Sequence, residues 1–368
     1  MTLHCSKHIV SAIRRTCGRQ RHLCSYVVAG QSKLTNEEVT KKRTQLFTKE
    51  KERQAALITR VEKIEVKYTG PLEQCTLVMN KDLSTPHDCA RHIHENLVQR
   101  AVIAEVDGRS WDMCRPLTQD CELTFQFYRD RYPYFVNKAG YSAFWRTCSF
   151  LLGYIVERAF KDNFYVQLHS WPQPQVRSGS FVYNVDLNIE NWQPREDELD
   201  VLSGMGRRLT AEGHRFERLE VDASLALKIF EDNKYKVEQI PRIASMSATG
   251  NSVTLYRLLD HVDISSGPMI GSLDQIWRFK VLAAHPIETS LGLMYRFQGL
   301  AIPKEFSMSE FAFNVCCDRA RKMNFTGLPR KHSATDSDVP DGVDNDDTQV
   351  SHDIIFEKPP PPTVPQSG

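Results

Sequence analysis

Between residues 141 and 160 the chain reads YSAFWRTCSFLLGYIVERAF, and its apolar side chains fall on every side of the helix they would form. Such a helix belongs in the centre of a folded domain. Arg146 and Glu157 interrupt the run, so it falls short of the roughly 18 uninterrupted apolar residues of a membrane span. Beyond it, SGSFVYNVDLNI, YKVEQI, SVTLYRLLDHVDI, IWRFKVLAAH and LMYRFQGLAI have the pattern and composition of strands. PREDELDVLSGMGRRLTAEGH predicts a helix, with acids in its first turn and Gly213 near its end, and ASLALKIF a shorter one. The GMG within the longer helix is no phosphate loop, because no strand precedes it and no Lys-Ser/Thr follows. These elements predict an α+β domain with a substantial antiparallel sheet over residues 131–304. SEFAFNVCCDRARKM adds a helix at 305–329, basic at its C-terminal end.

Residues 61–130 carry a different pattern. VEKIEVKY and CTLVMN predict strands, and STPHDCARHIHENL predicts a helix with Ser84 or Thr85 as N-cap and Pro86 in its first turn. Asp107-Gly108 then separates two apolar runs and supplies the positive φ of a tight hairpin. That order suggests a β-grasp sheet crossed by one helix. His87, His92 and His94 lie on the helix, but positions two apart face different ways and do not share a metal. Upstream, residues 35–60 open with a capping box, Thr35 with Glu38, followed by Val39, Leu46 and Leu57 in a strongly basic background, and read as a solvated helix. Lys41, Lys42, Arg43, Lys49, Lys51 and Arg53 suit phosphate neutralisation, or simply a charged surface arm. The linker FYRDRYPYFVNKAGY interleaves aromatics with Arg129, Arg131 and Lys138, a mixture suited to stacked bases and phosphates, and equally to interdomain packing.

Charge is informative only through its distribution. The 368 residues carry a net charge of +1. Residues 1–34 contain Lys7, Arg14, Arg15, Arg19, Arg21 and Lys33 without one acid, the composition of a mitochondrial transit peptide or, alternatively, of a disordered basic tail. Residues 330–368 are acidic and proline-rich, lack the apolar content to fold, and read as disordered. Ten cysteines without CxxC spacing signal neither disulfides nor a zinc ribbon.

The order of a β-grasp module, TCSFLLGYI, SGSFVYNVDL, YKV, VDISSGPM and YRFQGLA resembles the N-terminal half of threonyl-tRNA synthetases, over about residues 62 to 304. The resemblance implies a TGS domain followed by an editing domain, the part of those enzymes that hydrolyses mischarged seryl-tRNA. Members of that family carry an HxxxH pair on the buried helix and a Cys and a His in the Gly-Pro turn. Here these places hold Phe150, Tyr154, Ser265 and Met269, none of them a normal zinc ligand or a base poised near neutral pH. Lys236 and Asp263 match family positions lining the editing pocket and read as a leftover ion pair. Phe150 and Tyr154 are expected to fill the old cleft, contributing about 1.5 to 3 kcal/mol each if fully buried.

A replacement trio of His261, Asp263 and Ser265 fails on distance. His261 and Ser265 lie roughly 13 Å apart along a strand, and a nucleophile needs its base at about 3 Å. No synthetase catalytic half follows Lys304 in this sequence. With the presequence, the resemblance implies a synthetase-derived family of mitochondrial large-subunit ribosomal proteins, non-catalytic and without metal, cofactor or small-molecule substrate. Its implied partners are mitochondrial rRNA and other large-subunit proteins, with protein contacts at least as important for a chain this close to neutrality. The alternatives are a free-standing deacylase of misacylated tRNA and a tRNA-binding regulator.

Overall fold

Residues 35–70, 74–129, 138–161, 164–173, 175 and 178–329 are described by a computed structural model. The transit segment expected at 1–34, the acidic tail at 330–368 and the linker cation Arg131 lie outside them.

In the first sheet, β1 (Lys63–Tyr68) buries every second residue, Ile64, Val66 and Tyr68, and pairs antiparallel with β2 (Cys75–Asn80). The hairpin of β3 (Ile103–Val106) and β4 (Arg109–Trp111) turns at Asp107 and Gly108, with φ of 50° and 75°, as the two-residue turn requires. Strand β5 (Cys121–Gln126) lies parallel to β1, giving the order β2-β1-β5-β3-β4. The crossing helix α2 (Pro86–Ile93) is capped by Thr85, whose side chain accepts from the backbone of Asp88 while the Asp88 carboxylate accepts from Thr85. It ends at His94, and a short α3 (Glu95–Arg100) follows. This is the β-grasp arrangement.

Helix α4 (Lys138–Ala159) buries 16 of its 22 residues, which leaves it no solvent face. It packs on β6 (Gln167–Ser170), β7 (Phe181–Asp186) and β12 (Gly292–Pro303), which with β11 (Ile276–Thr289) form the antiparallel sheet β11-β12-β7-β6. Helix α5 (Glu196–Glu212) lies along β11, close enough that a Cβ on Gly206 would sit 2.3 Å from the Phe279 ring. A second antiparallel sheet, β10-β9-β8, is built from β8 (Glu217–Asp222), β9 (Ser252–Leu258) and β10 (His261–Ile264).

Two readings of pattern are corrected here. YKVEQI is not a strand but the start of α7 (Lys234–Ser245), which follows α6 (Ala223–Ile229). Asn233 caps α7 by accepting the backbone N–H groups of Tyr235 and Lys236, and the buried residues Lys236, Ile240 and Ala244 recur every fourth position. SVTLYRLLDHVDI is not one strand but the β9–β10 hairpin, turned at Leu259 with a φ of 56°.

The basic arm is corrected as well. Helix α1 (Asn36–Ala56) is not solvated all round: Asn36, Val39, Thr40, Arg43 and Phe47 form a buried stripe at helical spacing. Phe47 joins the core between β10-β9-β8 and helices α6 and α7, among Leu219, Ile229, Phe230, Leu255 and Val262. At its start, the Asn36 side chain accepts the N–H of Val166 and donates to the carbonyl of Phe164.

At the far end, α8 (Glu310–Ala320) packs Phe313 and Cys317 over Leu282 and Leu300 of the large sheet. The chain after it is fastened from within. Arg296, fully buried on β12, donates to Asn184 Oδ1 and to the carbonyls of Asn324, Thr326 and Gly327 at 2.6 to 2.9 Å. With no carboxylate beside it, burial brings this guanidinium down to about 10.

Removing the Phe47 side chain is expected to cost about 3–5 kcal/mol in urea denaturation, as for a buried phenylalanine, whereas Lys49→Ala on the exposed side of the same helix changes stability by no more than about 0.5 kcal/mol.

Candidate functional site

The helix places Phe150 and Tyr154 one turn apart on the face opposite β10. Phe150 is fully buried and meets Phe216, His261 and Trp171 edge-on, with ring centroids 5.3, 5.0 and 6.2 Å away. Tyr154 lies 5.8 Å from the His261 ring on one side and stacks against the Arg158 guanidinium at 3.9 Å. Where a hydrolytic site would hold imidazoles around water, aromatic rings hold an imidazole.

That imidazole belongs to a charged cluster. His261 Nδ1 lies 2.6 Å from Glu157 Oε2, and Arg43 donates to Glu157 Oε1 at 3.0 Å, all three groups being buried. Burial alone would push the Glu157 carboxyl up. The charge and hydrogen bond of His261, with Arg43 and Arg158 beyond them, outweigh it and hold the group at about 2. Arg43, expected among the phosphate-binding cations, is corrected by this geometry: its guanidinium faces the interior and serves Glu157. Others of that set are paired at the surface. Lys42 meets Glu231 and Asp232, Lys51 meets Glu217, and Arg53 meets Glu50, while Lys41 and Lys49 are exposed. Of the linker cations, Arg129 is exposed and stacks on the Phe306 ring at 4.3 Å, and Lys138 is exposed at the start of α4.

Lys236 and Asp263 form an ion pair, Nζ to Oδ1 2.6 Å, both buried. Tyr183 donates its hydroxyl to the other carboxylate oxygen, and the Asp263 charge together with burial pushes that phenol well above its ordinary value. With His261 on Glu157 and Asp263 on Lys236, the strand holds no relay between them. Ser265 Oγ accepts the N–H of Gly267 at 3.2 Å, and among the described residues no imidazole or carboxylate bonds to it.

The turn that follows is fixed by residues no local pattern singles out. Asp112, from the β-grasp module, accepts the N–H of Met269 at 2.8 Å and the Tyr256 hydroxyl at 2.9 and 2.8 Å. Thr147 Oγ1 accepts the N–H of Ile270 and lies 3.7 Å from Met269 Sδ. Gly267 has a φ of 66°, and a Cβ there would fall 1.9 Å from the Tyr256 hydroxyl, so only glycine fits. Residues 112 and 269 are 157 apart in sequence, which is why the sequence gives no sign of their pairing.

Phe150 and Tyr154 are buried. A separate opening of about 560 Å³, which neither of them lines, has Trp171, Lys236 and Ser265 in its wall. The thioether, hydroxyl, phenyl and phenol at the four family positions do not fit a metal, and among the described residues no three His, Cys, Asp or Glu side chains come together to hold one.

Comparison with known proteins agrees with this geometry. The TGS domain model matches residues 78–126. Over 293 residues the chain is 44% identical to the large ribosomal subunit protein mL39 of Drosophila melanogaster, covering 79% of this chain and 86% of that protein. The chain belongs to the mL39 family. Threonine–tRNA ligases are more distant. Identity is 30% over 225 residues with the mitochondrial ligase of Mus musculus and 29% over 237 residues with a probable cytoplasmic ligase of Dictyostelium discoideum, 60% and 63% of this chain. The matched regions are only 28% and 30% of those ligases, so the family retains the fold of one part of the enzyme.

Glu157→Ala, which leaves Arg43 and His261 buried without their anion, is expected to cost roughly 3–5 kcal/mol. The stability Glu157 contributes is complete above its ordinary value of 4.5 and is lost as the pH falls towards 2. A urea series across that window therefore declines towards acid in the wild type and is flatter in Glu157→Gln.

Proposed function

We propose that this chain is a non-catalytic component of the mitochondrial large ribosomal subunit, located in the matrix and contacting rRNA and neighbouring ribosomal proteins. The observation that carries the reading is the 44% identity extending over 86% of a large ribosomal subunit protein. The acid-free basic start of the sequence supports mitochondrial import. The exchange of the hydrolytic positions for Phe150, Tyr154, Ser265 and Met269 supports the absence of catalysis.

The surface favours protein neighbours as much as RNA. Net charge is only +1, and several basic residues of α1 already face carboxylates of this same chain. Lys41, Lys49 and Arg129 are exposed candidates for phosphate contact. Phe311 and Phe325, 79% and 69% exposed at the C-terminal end of the folded part, suit burial against another protein.

Gradient fractionation of a gently prepared mitochondrial lysate tests the reading. The chain is expected to co-sediment with large ribosomal particles; recovery only in light fractions at low salt would sink it. In the same preparation, hydrolysis of seryl-tRNA by the purified protein stays at buffer background.

A further inference from the structure

The cleft of about 560 Å³ has ligand-pocket size and touches the aromatic cluster through Trp171. Its walls come from both domains: α7 and the β8–β9 ribbon on one side, Arg115 from the β-grasp module and Arg146 from α4 on the other. Phe150, Tyr154 and Met269 are not in its lining, so it is separate from most of the degenerate hydrolytic positions.

Four cations line it against a single lining carboxylate, Glu220. Two are already neutralised. Lys236 sits on Asp263 at 2.6 Å, and Arg218 lies 3.7 Å from Asp112 and 3.4 Å from Glu220. Arg115 and Arg146 differ. Neither is ion-paired among the described residues: the Arg115 guanidinium stacks on the Trp111 ring at 3.5 Å, and Arg146 donates to the neutral carbonyl of Pro268 at 2.9 Å. Burial pushes both guanidiniums below their ordinary value, and the like charge of Arg218 adds to this at Arg115.

The Asp112 carboxylate, already bonded to Tyr256 and Met269, offsets this only in part at both guanidiniums, and the planar fork of a partly desolvated guanidinium is matched by the oxygens of a phosphate. Beside these cations, Ile243 and the 65% exposed Met246 present uncovered apolar surface on the α7 wall.

We propose that the cleft is a binding site for a phosphate-bearing ligand, its phosphate held by Arg115 and Arg146 and its less polar part lying against Ile243 and Met246. Because the two arginines come from different domains, occupancy ties the β-grasp module to the domain that follows it. The same chemistry is offered by a free phosphorylated small molecule and by the phosphorylated end of an RNA.

The test uses the full chain, titrated calorimetrically with inorganic pyrophosphate, with a nucleoside diphosphate, and with a short RNA bearing or lacking a 5′-phosphate. Saturable binding is expected for at least one phosphorylated probe, weakened about tenfold or more by Arg115→Gln and by Arg146→Gln, the loss of a bidentate charged contact. Arg115→Lys keeps the charge and recovers part of that affinity, which misfolding would not do. Binding of the small diphosphates identifies a free ligand, whereas binding of the 5′-phosphorylated RNA alone identifies an RNA end. Failure of all phosphorylated probes, equal binding of RNA without its phosphate, or affinity that survives both glutamine substitutions overturns the assignment.

Discussion

A helix without a polar face has to be covered on every side, and α4 imposes that requirement on the rest of the domain. The large sheet covers one flank, α5 another, and the hairpin β9–β10 with the chain around it a third. Its buried acid, Glu157, demands counter-charges in the same place, and α1 delivers Arg43 there while β10 delivers His261. Apolar burial sets the layout, and the ion cluster fixes which segments meet, because a charge left alone at that depth is far more costly than any surface contact is favourable.

The same constraint explains how a hydrolytic fold survives without its chemistry. The positions that hold imidazoles in the synthetase resemblance sit on the inner surface of α4, where their replacements have to be packed. Phe150 and Tyr154 meet that need with edge-to-face contacts to His261, Phe216 and Trp171. The Lys236–Asp263–Tyr183 group persists as a neutral-in-sum polar cluster, satisfied within itself. The neighbouring cleft reaches this group at Lys236, touches Ser265, and leaves Phe150, Tyr154 and Met269 outside its lining.

Much of this was legible in the residues. Asp107-Gly108 marked its hairpin, Thr35 and the pair Ser84-Thr85 marked helix starts, and the all-round apolar run marked the central helix. What failed was short-range or long-range for definable reasons. Six residues, YKVEQI, fit either period, and the Asn233 cap decides for helix. In α1 the buried stripe consists largely of Asn36, Thr40 and Arg43, polar types; Asn36 and Arg43 meet partners more than 100 residues away, while Thr40 donates to the Asn36 carbonyl one turn back. The basic cluster therefore looked like a solvated arm, and Arg43 like a phosphate ligand. Asp112 and Thr147, which fix the turn at Met269, give no local signal at all.

The inward fastening of the C-terminal strap has a consequence for the order of events along the chain. Until residues 324–327 are present, three of the carbonyls that Arg296 needs do not exist, and a bare guanidinium opposes closure of the sheet around β12. A polypeptide threaded N-terminus first thus keeps this layer open until residues 324–327 arrive, so the closing of β12 waits on a segment more than twenty residues further along the chain.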